Sequence, residues 1–139
     1  IAGHIREYDP VSVPAIVFTE PEIISVGMSP DEGKKYCETL GTKLLTGKFP
    51  LAANGRSLTM EAEKTGGFVR VIAREDNHQI LGIHAVGSSV SELSGEFSLA
   101  LEMGALLEDV AGTIHAHPTM SEAFHEAILA TLGHAIHIS

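Results

Sequence analysis

The chain reads as an α+β domain, a two-layer sandwich in which a mixed or antiparallel β-sheet is packed with helices. Three observations predict this. β-branched apolar runs recur in the chain up to Gly87; from Ser88 the apolar residues recur at three- and four-residue steps; and no internal repeat or long linker interrupts the chain after Val13. Strands segregated ahead of helices argue for α+β rather than a doubly wound parallel sheet.

The elements follow in order. The runs 13–18 (VPAIVF) and 22–28 (EIISVGM) are strand candidates, each entered through a proline. Ser29 is placed to cap a helix, with Pro30 at its first position, Glu32 three residues after the cap and Gly41 as the stop, although Gly33 weakens its first turn. TKLLTGKF, 42–49, is a further strand. Residues 50–67 hold an Asn54-Gly55 turn signal and no sustained period, so they read as loop with room for one short element. The runs 68–73 (FVRVIA) and 78–87 (HQILGIHAVG) flank a polar turn and predict an antiparallel hairpin. Val90, Leu93, Phe97, Leu101 and Ala105 then share one helical face; Ser94, Gly95, Ser98 and Ala100 on that helix are small enough to admit another backbone or simply to be tolerated at a surface. LLEDVAG, 106–112, is a short helical segment, and Met120, Phe124, Ala127, Ile128 and Thr131 mark a last helix beginning just after Pro118.

Composition narrows the partners. The 139 residues suit a single domain, and 44% hydrophobic content with 19% charged residues suits a packed core. A net charge of -9 would repel phosphate backbones and anionic lipid, so neither nucleic acid nor a membrane is an expected partner. One cysteine, Cys37, excludes an internal disulfide and the paired spacings of zinc ribbons and dithiol motifs, which points to a reducing compartment. Ile1 to Pro10 carry no apolar run, so no signal peptide is expected, and this opening reads like the end of something else.

The densest chemistry lies in IHAHPTMSEAFHEA, residues 114–127. His115, His117, Glu122, His125 and Glu126 are suitable metal donors, but Pro118 breaks the spacing and no HExxH occurs, which disfavours a metal site. Thr119 and Glu122 fit a capping box, on which view Glu122 only satisfies a helix start. Alternatively, His117, extended before Pro118, projects toward that start, where Glu122 in the first turn can hold one imidazole nitrogen and leave the other to move a proton. Spacing alone does not choose between cap and base.

Beyond that point the residues resemble a known family. HAHPTMSEAFHEA is similar to the C-terminal signature of the dihydrolipoamide dehydrogenase branch of the flavoprotein pyridine nucleotide-disulfide oxidoreductases. VPAIVFTEPEIISVGMS, GKFPLAANGRSL, GGFVRVIA with ILGIHAVG, SELSGEFSLALEMGA and the closing AIHI resemble the same enzymes' interface, or dimerisation, domain in the same order. The resemblance implies an interface domain over 13–139, with 1–12 the remnant of a preceding domain. It also implies a fragment inactive alone, because the family's dinucleotide fingerprint, CxxxxC pair and nicotinamide domain do not occur in these residues.

The roles implied are specific. His117 would be the acid/base in NAD-dependent oxidation of protein-bound dihydrolipoamide, and Glu122 the partner that orients it. Pro118 would follow a cis peptide, and the backbone of His117 and Pro118 would lie near the FAD of the other subunit of a homodimer. FAD and NAD would belong to the whole enzyme, neither being expected on this domain by itself, and no metal is implied. The partner would be the lipoyl domain of a 2-oxo acid dehydrogenase or glycine cleavage complex, in a bacterial cytoplasm or, alternatively, a mitochondrial matrix. His115 receives no separate proton-transfer role; His125, His134 and His137 are expected at a solvated surface or interface, and His84 as a satisfied structural histidine. Cys37 is expected to be chemically inert. The competing possibility is a free-standing dimerisation or His-rich metal-binding module descended from such a domain.

Overall fold

A computed structural model describes residues 3, 7–60 and 66–134. The closing AIHI, His137 and residues 61–65 therefore lie outside the described residues.

The fold is α+β, and its sheet is wholly antiparallel. Strands β1 (Ala15–Val17), β2 (Glu22–Gly27), β3 (Leu44–Pro50), β4 (Phe68–Arg74) and β5 (Ile80–Gly87) lie in the order β1-β2-β5-β4-β3. The hairpin expected from residues 68–87 is the centre of the sheet, with Val71 opposite Ile83 and a register shift at Ile72/Ala73. β1 is shorter than the apolar run suggested, because only Ala15, Ile16 and Val17 find partners on β2.

Alternation divides the sheet into two faces. Ile24, Val26, Phe49, Val69, Val71, Ile83 and Ala85 point to the main core, where helices α3 (Ser94–Glu102) and α5 (Ser121–Thr131) supply Phe97, Leu101, Phe124, Ala127 and Ile128. Phe97 and Phe124 meet with ring centroids 5.0 Å apart. Burying each such side chain contributes about 1.5–3 kcal/mol. Helix α1 (Pro30–Thr39) covers one corner of the opposite face, where Cys37 packs with Ile72 and Leu81. Ser29 and Glu32 close the reciprocal capping box expected of them, and buried Gly33 lets α1 approach Ile72 and Leu44.

One close contact sets the position of the last helix. A Cβ on Gly47 would lie 2.2 Å from Thr131 Oγ1 and 2.5 Å from the Ala127 carbonyl oxygen. Only glycine lets β3 and α5 approach this far, and the approach fixes the helix whose first turn carries Glu122.

The stretch read as loop contains a short helix, α2 (Gly55–Thr59). Asn54, taken for a turn residue, is its N-cap, and its side chain accepts the Ser57 amide at 2.9 Å. The helical run after Ser88 opens as a 3₁₀ turn, Val90–Leu93, before α3 begins. LLEDVAG gives α4 (Leu107–Ala111). No helix among the described residues is long and apolar enough to cross a membrane.

Candidate active site

An irregular link between α4 and α5 delivers the imidazole of His117. The His117–Pro118 peptide is cis, and Ala116, His117 and Pro118 are all exposed. Two residues earlier the chain is tied down: His115 Nδ1 meets the Thr113 carbonyl at 2.9 Å, and its Nε2 meets Glu96 on α3 at 3.0 Å. An anchored His115 thus holds the strand of backbone on which exposed His117 rides.

Glu122, in the first turn of α5, performs two tasks with its two oxygens. Oε1 lies 2.9 Å from His117 Nδ1, while Oε2 accepts the Thr119 amide at 2.8 Å. The cap and the dyad are therefore compatible, since each uses a different oxygen. The cap is only half the expected box: α5 starts at Ser121, and the Thr119 hydroxyl donates to the Ala116 carbonyl at 2.7 Å and accepts no amide of the helix. Burial pushes the Glu122 carboxyl up, but the Thr119 amide and the His117 ring together outweigh it and hold the pKa below the ordinary carboxylate value.

Exposure gives the pair its direction. The His117 side chain is 75% exposed and that of Glu122 only 23%. With Nδ1 turned inward onto the carboxylate, Nε2 faces outward and has no partner among the described residues. A carboxylate that holds one nitrogen fixes the tautomer and leaves the other to accept or donate a proton. Behind the ring lies a cleft of about 280 Å³ lined by Phe49, Asn54, Leu58, Glu122 and Glu126. The larger cavity, about 580 Å³, is formed elsewhere, by residues that include Val11, Gly27, Tyr36 and Leu101.

The remaining candidates fall into separate places. His125 is half-buried: its ring stacks on that of His115 at 4.8 Å between centroids, and Nε2 meets the Ala111 carbonyl at 3.1 Å. Sequence spacing could not show this, because the contact joins the link to the second turn of α5 through the fold. Glu126 is buried one turn beyond Glu122 and lines the same cleft. Exposed His134 is the last described residue. His84 is 8% exposed on β5, opposite Arg70 and Ser25, and neither ring nitrogen makes a well-formed hydrogen bond, unlike the satisfied histidine expected. Burial, followed by the Arg70 charge, lowers its pKa, and the Met28 backbone opposes them. Burial likewise pushes the Cys37 thiol up, away from the reactive thiolate. Among the described residues no three His, Cys, Asp or Glu side chains converge as metal ligands. Asn54, missed as a site residue, lies directly behind the dyad; its side chain donates to the Thr119 carbonyl at 3.1 Å.

An antiparallel sheet backed by helices, displaying a histidine–carboxylate pair at the start of its last helix, has the form of an α+β association domain of the disulfide oxidoreductases. Residues 13–128 match the family described as pyridine nucleotide-disulphide oxidoreductase, dimerisation domain. The chain belongs to that family. It is 55% identical over 138 residues to dihydrolipoyl dehydrogenase of Pseudomonas aeruginosa, covering 99% of this chain and 28% of that protein. It is 42% identical over 138 residues to dihydrolipoyl dehydrogenase of Bacillus subtilis, with the same coverage of each. The crystal structure of LpdA from Mycobacterium tuberculosis superposes with a TM-score of 0.71 at 28% identity, over 84% of this chain and 24% of that one. The HOCl-induced flavoprotein disulfide reductase RclA from Escherichia coli, at 23% identity, shares the fold with a TM-score of 0.74 over 84% of this chain and 26% of that one. The chain thus spans about 28% of the length of the curated relatives it matches.

Proposed function

We propose that these residues are the interface domain of a homodimeric dihydrolipoamide dehydrogenase, with residues 1–12 the end of the domain before it. The dyad His117 and Glu122 serves the disulfide site of the partner subunit. The observation that carries this reading is the 2.9 Å contact between His117 Nδ1 and Glu122 Oε1 on a ring that is 75% exposed. A base aimed away from its own core suits a reaction centre on another chain.

His117 Nε2 accepts the proton of a dihydrolipoamide thiol as that sulfur attacks the disulfide of the partner subunit. A mixed disulfide forms and the displaced sulfur leaves as thiolate. Attack proceeds through the thiolate, so a base beside a thiol with a pKa of about 8.5 accelerates it near neutral pH. The resulting imidazolium stays held by Glu122 and stabilises the thiolate beside it. When the second thiol of the substrate attacks the mixed disulfide and closes the substrate's own disulfide, the enzyme sulfur it displaces leaves and takes up a proton, which balances the one lost from that thiol. Ala116, His117 and Pro118 fit an edge contact with a flavin: all three are exposed at the protein surface. When bound in the whole enzyme, FAD supplies the acceptor for the electron pair and NAD carries it away. The domain's own residues orient, protonate and deprotonate.

Association is the second task. Leu99 on α3 and Met103 at its C-cap are 63% and 74% exposed, and Ile114 in the link is 96% exposed. A Cβ at Gly95 would meet nothing within 4 Å, so this helix offers a small-residue surface open to another chain. The substrate dithiol is carried by a lipoyl domain in the bacterial cytoplasm. In the full-length homodimer, His117→Gln is expected to reduce dihydrolipoamide oxidation by about 10²- to 10⁴-fold with flavin content unchanged. Undiminished turnover in that variant discards the proposal.

A further inference from the structure

We infer that Asn54 is a positioning residue for the His117 and Glu122 dyad, which it holds through the peptide groups of Thr119. The inference rests on the acid/base reading above and adds a residue to it.

Asn54 is 3% exposed and lies 65 residues from the link it touches. Its amide is used at both ends. Oδ1 accepts the Ser57 amide at 2.9 Å, which caps α2, and Nδ2 donates to the Thr119 carbonyl at 3.1 Å. Thr119 is thereby gripped from two sides, since its own amide donates to Glu122 Oε2 at 2.8 Å. The next residue is held as well: fully buried Ser57 lies with Oγ 3.4 Å from Met120 Sδ. Gly55 lies close by: a Cβ built on it would stand 3.5 Å from His117 Cε1 and 3.9 Å from Pro118 Cβ, so the helix start passes beside the ring. The start of α2 thus backs the imidazole, the proline and both residues between them and Ser121.

The consequence is geometric. Glu122 is fixed by α5, but His117 stands on an irregular link whose exposed side has no regular hydrogen bonding. The Asn54 donor ties that link to the α2 end of the core, so the distance from Nδ1 to the carboxylate is set by two anchored bodies. Small errors in the placement of a base are costly in rate.

Asn54→Ser and Asn54→Asp separate this role from capping. Both side chains still accept an amide hydrogen at an N-cap, so α2 is retained. Ionised Asp has no proton to donate, and the Ser hydroxyl, one bond shorter, stops short of the Thr119 carbonyl that the Asn amide reaches. In the full-length homodimeric flavoprotein, both variants are expected to lower kcat for dihydrolipoamide oxidation by roughly five- to tenfold, the factor of one lost hydrogen bond. The pH dependence of kcat is expected to shift in Asn54→Ser as it does in Glu122→Gln, with KM and the thermal midpoint close to those of the parent. Normal kcat and pH dependence in both variants, alongside collapse in His117→Gln, overturns the Asn54 assignment alone. Loss of the folded dimer in both variants assigns Asn54 to the core and overturns it too. Undiminished turnover in His117→Gln overturns the acid/base reading beneath it.

Discussion

His115 lies stacked on His125, ring centroids 4.8 Å apart and planes 25° from parallel, so the link before the dyad is pinned to the second turn of α5. Both nitrogens of His115 are engaged, one by the Thr113 carbonyl and one by Glu96, and its side chain is only 6% exposed. His115→Ala removes two hydrogen bonds and a ring contact. Each hydrogen bond is worth about 0.5–1.5 kcal/mol and the stacking a similar amount, so the domain is expected to lose about 2 kcal/mol in denaturant unfolding. Unchanged stability would show that the link is held from elsewhere.

Glu122→Gln distinguishes a cap from a dyad partner. The amide oxygen of Gln can still accept the Thr119 N–H, so the helix start survives and stability changes by less than about 1 kcal/mol. What is lost is the charge that steadies a protonated imidazole. Turnover is expected to fall and its pH dependence to move; a pure cap would leave both in place.

The same substitution tests the titration of Glu122. Its carboxyl lies below the ordinary value of 4.5, because the Thr119 and His117 hydrogen bonds outweigh burial. A group with a depressed folded pKa stabilises the fold fully above its unfolded pKa, and that contribution is lost as pH falls through the folded value. The gap in thermal midpoint between the parent and Glu122→Gln is therefore expected to be constant near neutrality and to close below about pH 4.5. A gap that persists to low pH contradicts this.

Gly47→Ala is expected to destabilise the domain by about 3 kcal/mol, the upper range for over-packing. Its Cβ would stand 2.2 Å from Thr131 Oγ1, 2.4 Å from the Thr131 amide nitrogen and 2.5 Å from the Ala127 carbonyl oxygen, and two of these neighbours are backbone. Relief requires α5 to move away from β3, which also displaces Glu122. Unfolding by urea and turnover should fall together, and a stable Ala variant would show that the helix yields without cost.

How far the sequence carried the fold depends on how local each signal is. The Ser29 and Glu32 box and the hairpin of β4 and β5 act over a few residues, so spacing reveals them. The five-residue α2 is too short to leave a helical period, and Asn54-Gly55 could serve a turn as readily as an N-cap. The same limit applies within the site. Glu122 was legible as a partner for His117 because only five residues separate them, whereas the grip of Asn54 on Thr119 spans 65 residues. The stacking of His115 and His125 exists only once α5 has packed on the sheet. Thr119 misled for a related reason: its hydroxyl is turned to donate to the Ala116 carbonyl and accepts no amide of the helix.

Association through α3 can be tested at its exposed apolar residues. Leu99 and Met103 are 63% and 74% exposed, so exchanging both for Asp should leave the folding of each subunit intact. At an interface between two copies, each unpaired charge must be desolvated or brought near its own symmetry mate, at a cost of several kcal/mol. Sedimentation of the full-length double variant is expected to show monomers at concentrations where the parent is dimeric. Under the proposed function, in which the base on one chain serves the disulfide of the other, turnover is expected to fall with the dimer fraction. A variant that remains dimeric and fully active would place the contact on another face of the domain.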